Sequence, residues 1–422
     1  MADGGASSHG SLEALRQRNL LHVVDALRRS GTATRGDLAR GTGLSRSTIA
    51  TLVADLQAQG VVVERGRPAD TGPAAGRGRP AAYLALDPSV GTALGLDFDH
   101  DRVRVAVADL SSTVLAEEEI SLDVDHNASE ALDMSAELVE RVLRQADVAR
   151  ERVIGVGVGL PSPIERDTGT VGSPTILPSW TGIRPAEELA RRLDLPVTVE
   201  NDANLGARAE QAFGAGRDID DFIYVILRAG IGAGLVLGGR LHSGAAGFAG
   251  EIGHVSVQPD GALCRCGNRG CLETVASTTV LVAALAGARG GDITVSDLIE
   301  LVRDDDFAAS RVVHEAGRAV GRTLADLCSH LNPAAVIVGG DLAAADGPLL
   351  AGIRESIDRF AVPPAAQSVQ VIRGTLGDRA ELLGALALVI GNTTHLRSLA
   401  LVPLGRDPRL STSPGATASA RA

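Results

Sequence analysis

The hydrophobic pattern of this 422-residue chain changes period at Pro88, which divides it into two modules of different construction. Before that point the apolar residues keep helical spacing. Leu12, Leu15, Leu20, Val23, Val24 and Leu27 predict a first helix that Gly31 ends. A second helix is predicted from Arg35 to Thr42, with Thr34 as its N-cap and Asp37 three residues on. Gly41 and Gly43 mark a turn. A third helix is predicted from Ser45, its N-cap, to Gln59, and Gly60 stops it. Its apolar residues Ile49, Leu52, Val53 and Leu56 fall at i, i+3, i+4 and i+7, one buried face. The stretch VVVERG then reads as a strand, and RPADTGPAAGRGRPAAYLAL as a Pro/Gly-rich turn leading into a second strand.

Helix, helix, turn, helix and a two-stranded ribbon make a winged helix-turn-helix pattern. After Pro88, TALGLDF, RVRVAVADL, VIGVGVGL, VTVEN, FIYVILR and AVIVGG read as strands alternating with helical segments, an α/β organisation. The expected division is a disordered N-terminus over 1–11, the winged helix-turn-helix over 12–86, the α/β module over 87–398 and a disordered tail over 399–422. No tandem repeat of the solenoid type is visible.

Charge follows the same division. Residues 1–86 carry 11 Arg against 7 Asp plus Glu, a balance of +4; the remainder carries 29 against 45, or −16, giving −12 overall. A basic module attached to a larger acidic one is the expected reading. All 40 basic side chains are Arg, so any phosphate contact falls to Arg or to backbone N–H groups. No apolar run has the roughly 18–20 residues of a membrane span, and MADGGASSHG lacks the form of a signal peptide. The sequence therefore predicts a cytoplasmic protein without a membrane partner.

In a helix-turn-helix the second helix of the motif enters the major groove by its N-terminal end. Here that end carries Ser45, Arg46, Ser47 and Thr48, with Thr51 one turn on and Arg35 at the start of the preceding helix. Arg46 suits guanine, and the hydroxyls suit phosphates or bases. The alternative is a plain three-helix bundle with Arg46 as a solvated surface residue. Gly76-Arg77-Gly78-Arg79-Pro80 resembles the core of an AT-hook, in which Arg77 and Arg79 would enter a narrow minor groove; it reads equally as a basic linker.

Three of the chain's four cysteines lie within eight residues, in CRCGNRGCLE. Gly267 and Gly270 let the backbone fold back so that Cys264, Cys266 and Cys271 can face one ion. Three thiolates require a fourth ligand, and His254 lies ten residues before Cys264. Cys328 is the rival ligand, but its Ala/Leu-rich surroundings suit a core cysteine. Three sulfurs and one imidazole suit a structural Zn2+; a redox-active cysteine pair is the alternative.

The run GEIGHVSVQPDGALCRCGNRGCLE resembles the signature of the ROK family of bacterial sugar kinases and related repressors. The likeness extends through GLPSPIERDTGTV, VENDANLGARAE and AGIGAGLVLGGRLHSGAAGFAGEIGH, and covers essentially residues 12–395. It implies a two-lobed, actin-like ATPase architecture of the ribonuclease H type, with sugar in the cleft. It also implies sugar contacts from Asn201, Asp202, Glu251, His254 and Glu273, with Asp202 at the position of the kinases' general base. His254 would hold zinc through one ring nitrogen and a sugar hydroxyl through the other.

The kinase pattern fails at the phosphate loops. Where the kinases have Asp-x-Gly-Gly-Thr, this chain has Asp97-Phe98-Asp99-His100-Asp101; where they have Gly-Thr-Gly-Ile-Gly, it has Arg228-Ala229-Gly230-Ile231-Gly232. Side chains fill the approach to a triphosphate, and the added carboxylates are expected to repel it by about 4 kcal/mol at a close contact. The expected protein is thus not an enzyme, does not use ATP, and represses transcription in response to a sugar or sugar phosphate. It binds a palindromic DNA operator as a homodimer or dimer of dimers. A working ROK kinase with a fused DNA-binding domain is the alternative, because Asp202 is retained.

Overall fold

The computed structural model describes residues 6–65, 82–88, 90–172 and 175–391. The Gly76–Pro80 segment with Arg77 and Arg79, and the tail from 399, lie outside these. The first module contains α1 (Ala6–Ser30), β1 (Ala33–Thr34), α2 (Arg35–Thr42), α3 (Arg46–Ala58), β2 (Val62–Arg65) and β3 (Tyr83–Leu86). The first helix starts at Ala6. The other boundaries follow local chemistry. At α2 the Thr34 side chain accepts from Asp37 N–H while the Asp37 carboxylate accepts from Thr34 N–H, a reciprocal cap worth about 1 kcal/mol. At α3 the Ser45 hydroxyl accepts from Thr48 N–H. Thr34, the cap residue, also pairs with Tyr83, which makes the wing a three-stranded sheet in the order β1-β3-β2.

The second module is built from two sheets of like topology. One holds β4 (Thr92–Phe98), β5 (Arg102–Asp109), β6 (Val114–Ser121), β7 (Val153–Leu160) and β8 (Val197–Asn201), in the order β6-β5-β4-β7-β8. Helices α4 (Ala128–Gln145) and α5 (Pro185–Leu193) cover it. Helix α6 (Asp202–Phe213) leads to the other sheet, made of β9 (Phe222–Leu227), β10 (Ile231–Leu237), β11 (Arg240–Leu241), β12 (Ala335–Gly339) and β13 (Gln370–Arg373), in the order β11-β10-β9-β12-β13. In both sheets the first strand pairs antiparallel with the second and parallel with the fourth. Between β11 and β12 run α7 (Glu273–Ala276), α8 (Thr278–Arg289), α9 (Val295–Arg303) and α10 (Phe307–Leu331). Helices α11 (Gly347–Phe360) and α12 (Pro363–Ser368) precede β13, and α13 (Ala380–Ile390) follows it.

Two helices cross between the lobes. Helix α6 leaves the first sheet and packs on β9 and β10, and α13 leaves the second sheet and packs on β4 and β7. They meet closely enough that a Cβ at Gly384 would lie 2.1 Å from the Leu205 carbonyl oxygen, so this crossing requires glycine. The outer end of α13 continues into the first module. Leu382, Leu386, Val389 and Ile390 share one apolar core with Val23, Leu27, Leu52 and Leu56. The core therefore runs across the boundary that the change of period marks at Pro88. No helix among the described residues is long and apolar enough to cross a membrane.

Candidate sensor cleft and metal centre

The cysteine loop folds as the glycines suggest. Ser256 bridges Cys271 and Leu263 bridges Arg269, and Cys264 N–H donates to the Asn268 carbonyl at 2.8 Å. Gly270 has φ of 61°, and a Cβ there would fall 1.5 Å from the Gln258 carbonyl oxygen. The result brings His254, Cys264, Cys266 and Cys271 together, with one ligand atom from each within 4.8 Å of the others. The Cys266 and Cys271 sulfurs are 3.6 Å apart, and Cys264 Sγ lies 3.6 Å from His254 Nδ1. No disulfide joins them. For Zn–S bonds of about 2.3 Å the tetrahedral edge is roughly 3.7 Å, so the donor set and its spacing fit that ion. Burial pushes the Cys271 thiol up to about 12 and raises that of Cys264; a divalent cation reverses this by stabilising the thiolates. Cys328 stays apart, fully buried in the core of the second lobe on α10.

The same loop forms one wall of the interlobe cleft. His254 turns Nδ1 toward the cysteines and Nε2 toward Glu251, 3.9 Å from its Oε2. Asn201 ends β8 and caps α6 by accepting from Asn204 N–H at 3.2 Å. Asp202 opens α6 and Glu273 opens α7. Asn201, Asp202, Glu251, His254 and Glu273 line one cavity. Burial, and then Glu381, push the Asp202 carboxyl up to about 7; burial, and then Glu273, do the same to Glu251. The cavity has about 40 Å³, room for a few waters and not for a hexose.

Two lining residues stand outside the predicted sugar-binding set. Arg265, between two of the cluster cysteines, donates from Nε to Glu273 at 2.8 Å. His100 pairs through Nδ1 with Asp125 at 2.7 Å and turns Nε2 toward Gly230. The hint for Arg265 was its place in a Cys-x-Cys gap, where the side chain between two inward sulfurs must face elsewhere.

The phosphate-loop positions lie on two facing hairpins, β4–β5 and β9–β10. Arg228 spans them. Its guanidinium lies 3.3 Å from Asp99, 2.9 Å from Glu381 and 3.4 Å from Asp341, and the residue is 4% exposed. Burial works against the Asp99 charge, yet Arg228 and Arg102 hold its carboxyl below the ordinary value. This changes the expected obstacle to a triphosphate. Asp99 does not stand as a bare repelling charge; a guanidinium with its own carboxylates occupies the position. Glu381 is fully buried and also accepts from the Tyr224 hydroxyl at 2.9 Å. Beyond this cluster lies a cavity of about 610 Å³ with Asp99, Asp101, Asp292 and Asp341 among its lining.

In the DNA-binding module, Ser45, Arg46, Ser47 and Thr51 are exposed and Thr48 is half-buried. The hydroxyls are engaged locally: Ser45 with Ser47 and Thr48, and Thr51 with the Ser47 carbonyl. Arg46 projects from the first turn of α3. Arg35 instead bonds Gln57 at 3.1 Å and reaches Glu64 at 3.5 Å, bracing α2 against α3 and β2.

Comparison with known proteins matches residues 93–392 to the ROK family model and residues 18–71 to the MarR family model. The chain is 30% identical over 405 residues to the transcriptional dual regulator NagC of Escherichia coli, covering 92% of this chain and 96% of that one. It is 27% identical over 398 residues to the xylose repressor of Caldicellulosiruptor bescii, covering 91% and 98%. Among solved structures, a ROK family transcriptional regulator homologous to E. coli Mlc superposes with a TM-score of 0.76 at 25% identity, over 92% of this chain and all of the other. A ROK glucokinase from Streptomyces griseus superposes with a TM-score of 0.64 at 31% identity, over 71% of this chain and 99% of the kinase.

Proposed function

Because the chain belongs to the ROK family, we propose that it is a sugar-responsive transcriptional repressor: it binds operator DNA through α3 and senses a sugar or sugar phosphate in the interlobe cleft. The observation that carries this reading is the Arg228 cluster. A chain that keeps the sugar-side residues but fills the phosphate position with its own ion network retains recognition and gives up transfer. Retention of Asp202 does not argue against this, since a carboxylate at that place serves hydroxyl recognition equally well.

Asn201, Asp202, Glu251, His254 and Glu273 form the sugar-binding fan. His254, Cys264, Cys266 and Cys271 would hold a structural Zn2+, which fixes the imidazole so that Nε2 stays aimed at the cleft. Arg46 would read a base edge, Ser45, Ser47, Thr48 and Thr51 supply the surrounding contacts, and Arg35, Arg77 and Arg79 add positive charge near the DNA. Two such modules related by a dyad would match a palindromic operator, in a homodimer or dimer of dimers.

The narrow cleft supports the coupling. Sugar must widen it; α6 starts at the cleft, α13 starts beside Arg228 on its lining, and both end against the first module. A ligand that favours the widened arrangement shifts the placement of the DNA-binding module, by a coupling on the order of 1–3 kcal/mol. The test is to incubate purified protein with fragmented genomic DNA and sequence what is retained. An enriched palindrome whose retention changes with sugar supports the proposal. ATP-dependent phosphorylation of a hexose, abolished in Asp202→Asn, would overturn the non-enzyme reading.

A further inference from the structure

At the junction between the DNA-binding module and the second lobe lies a half-open cavity of about 470 Å³ that shares no lining residue with the sugar cleft. One wall is α1, with His22, Asp25, Arg28 and Arg29; the facing wall is α6, with Arg208. Arg28 and Arg29 share the Asp25 carboxylate, and Arg28 also lies over the Phe213 ring, 4.8 Å from its centroid. Arg208 has no such arrangement. Its Nε is sealed from solvent without a hydrogen-bond partner, and no carboxylate forms an ion pair with it among the described residues. Burial pulls its proton affinity down, and Glu200 offsets this only through space. Asp220 is the other carboxylate on the lining, so three guanidiniums face two carboxylates.

Arg208 is half-buried, with Nε sealed and no carboxylate in ion-pair contact, and it lines a cavity with two further guanidiniums; such a grouping suits an anion. Among the described residues the lining offers Asp25, already shared by Arg28 and Arg29, and Asp220. Residues 392–422, which continue from Gly391 at the rim, contain four Arg and one Asp. We propose that this cavity binds a small phosphate-bearing anion, held by the Arg208 fork with Arg28 and Arg29. Guanidinium forks suit tetrahedral oxyanions, and the volume exceeds what a bare phosphate fills, which favours a phosphate monoester. Such an anion would brace α1 of the DNA-binding module against α6, the helix whose first residue is Asp202.

The experiment titrates the full-length protein by calorimetry with inorganic phosphate and with glycerol 3-phosphate, and follows thermal unfolding in phosphate against chloride at equal ionic strength. Saturable binding and a raised Tm are expected. Both should weaken at least about tenfold or vanish in Arg208→Gln, the loss expected for removing a charged hydrogen-bonding partner. In phosphate-free buffer Arg208→Gln should melt at or above the wild-type temperature, because it removes an uncompensated cation. Tighter binding of the ester identifies a phosphorylated metabolite as the occupant; equal binding identifies free phosphate. Should Arg208→Gln fail to fold, Arg29→Gln at the more exposed rim must weaken binding in its place. Absence of saturable binding at millimolar ligand, or binding unchanged by both variants, overturns the proposal. So does binding lost in Glu251→Ala and kept in Arg208→Gln, which would assign the anion to the sugar cleft.

Discussion

Replacing Arg228 with Met would remove the one cation among the described residues that touches Asp99, Asp341 and Glu381 together, while keeping an unbranched side chain of similar length. Breaking a buried ion pair by deleting one partner costs about 3–5 kcal/mol, because the remaining charge stays buried. At roughly 2 °C per kcal/mol for a domain of this size, that is about 6–10 °C in Tm near pH 8. The pH dependence follows from the direction of the shifts. In the wild type Asp99 sits below its ordinary value, so its contribution is present above the unfolded carboxylate pKa and is lost as pH falls below it. Without Arg228, burial at Asp99 is opposed only by Arg102 and His100, and at Glu381 it raises the carboxyl further. The variant then binds more protons folded than unfolded, and its deficit grows as pH rises from about 4 toward 8. Thermal unfolding by circular dichroism at pH 5 and pH 8 measures this, and adding Glu381→Gln to Arg228→Met should recover part of the loss at pH 8. A Tm change under about 2 °C at pH 8, or a deficit equal at both pH values, would refute the reasoning, since neither is compatible with buried charges left uncompensated.

Four further outcomes are expected. Cys266→Ser should reduce bound zinc from about one per chain to none by elemental analysis, and lower Tm, because the ligand set is then incomplete. Glu251→Ala and Glu273→Ala should each abolish the calorimetric heat of the sugar ligand while leaving operator binding in its absence intact. Arg46→Ala should weaken operator binding by about 1–3 kcal/mol in a gel-shift or anisotropy titration and relax base preference at one position per half-site. Asp97→Asn should raise Tm at pH 8 but not at pH 4: burial, and then Glu381, push this carboxyl up to about 7, neither of its oxygens has a hydrogen-bond partner, and its charged form is the burden that develops between those pH values.

The helix-turn-helix was legible in the sequence because its signals are local. The Thr34 and Ser45 caps and the four buried residues of α3 lie within one or two turns of the backbone they organise. The cysteine cluster was legible for the same reason: its ligands and turn glycines fall between residues 254 and 271. Strands buried on both faces, such as β4, β7 and β9, announce themselves as short apolar runs. Strand β6 does not, because Glu117, Glu118 and Glu119 interrupt it, and in β10 Gly232 and Gly234 weaken the apolar run. The like topology of the two sheets left no sequence repeat to find.

What the sequence by itself determined is therefore the set of parts: a helix-turn-helix, a four-residue His/Cys cluster, a carboxylate-rich motif and two loops that depart from the kinase pattern. Only the tertiary structure decided how they meet. Arg228 and Glu381 are 153 residues apart, and Arg28 reaches Phe213 across 185 positions of chain. No local spacing encodes such pairs. They arise because α6 and α13 exchange lobes and pack backbone to backbone, and this crossing places a buried guanidinium at the phosphate position and the DNA-binding module at the far end of the same two helices.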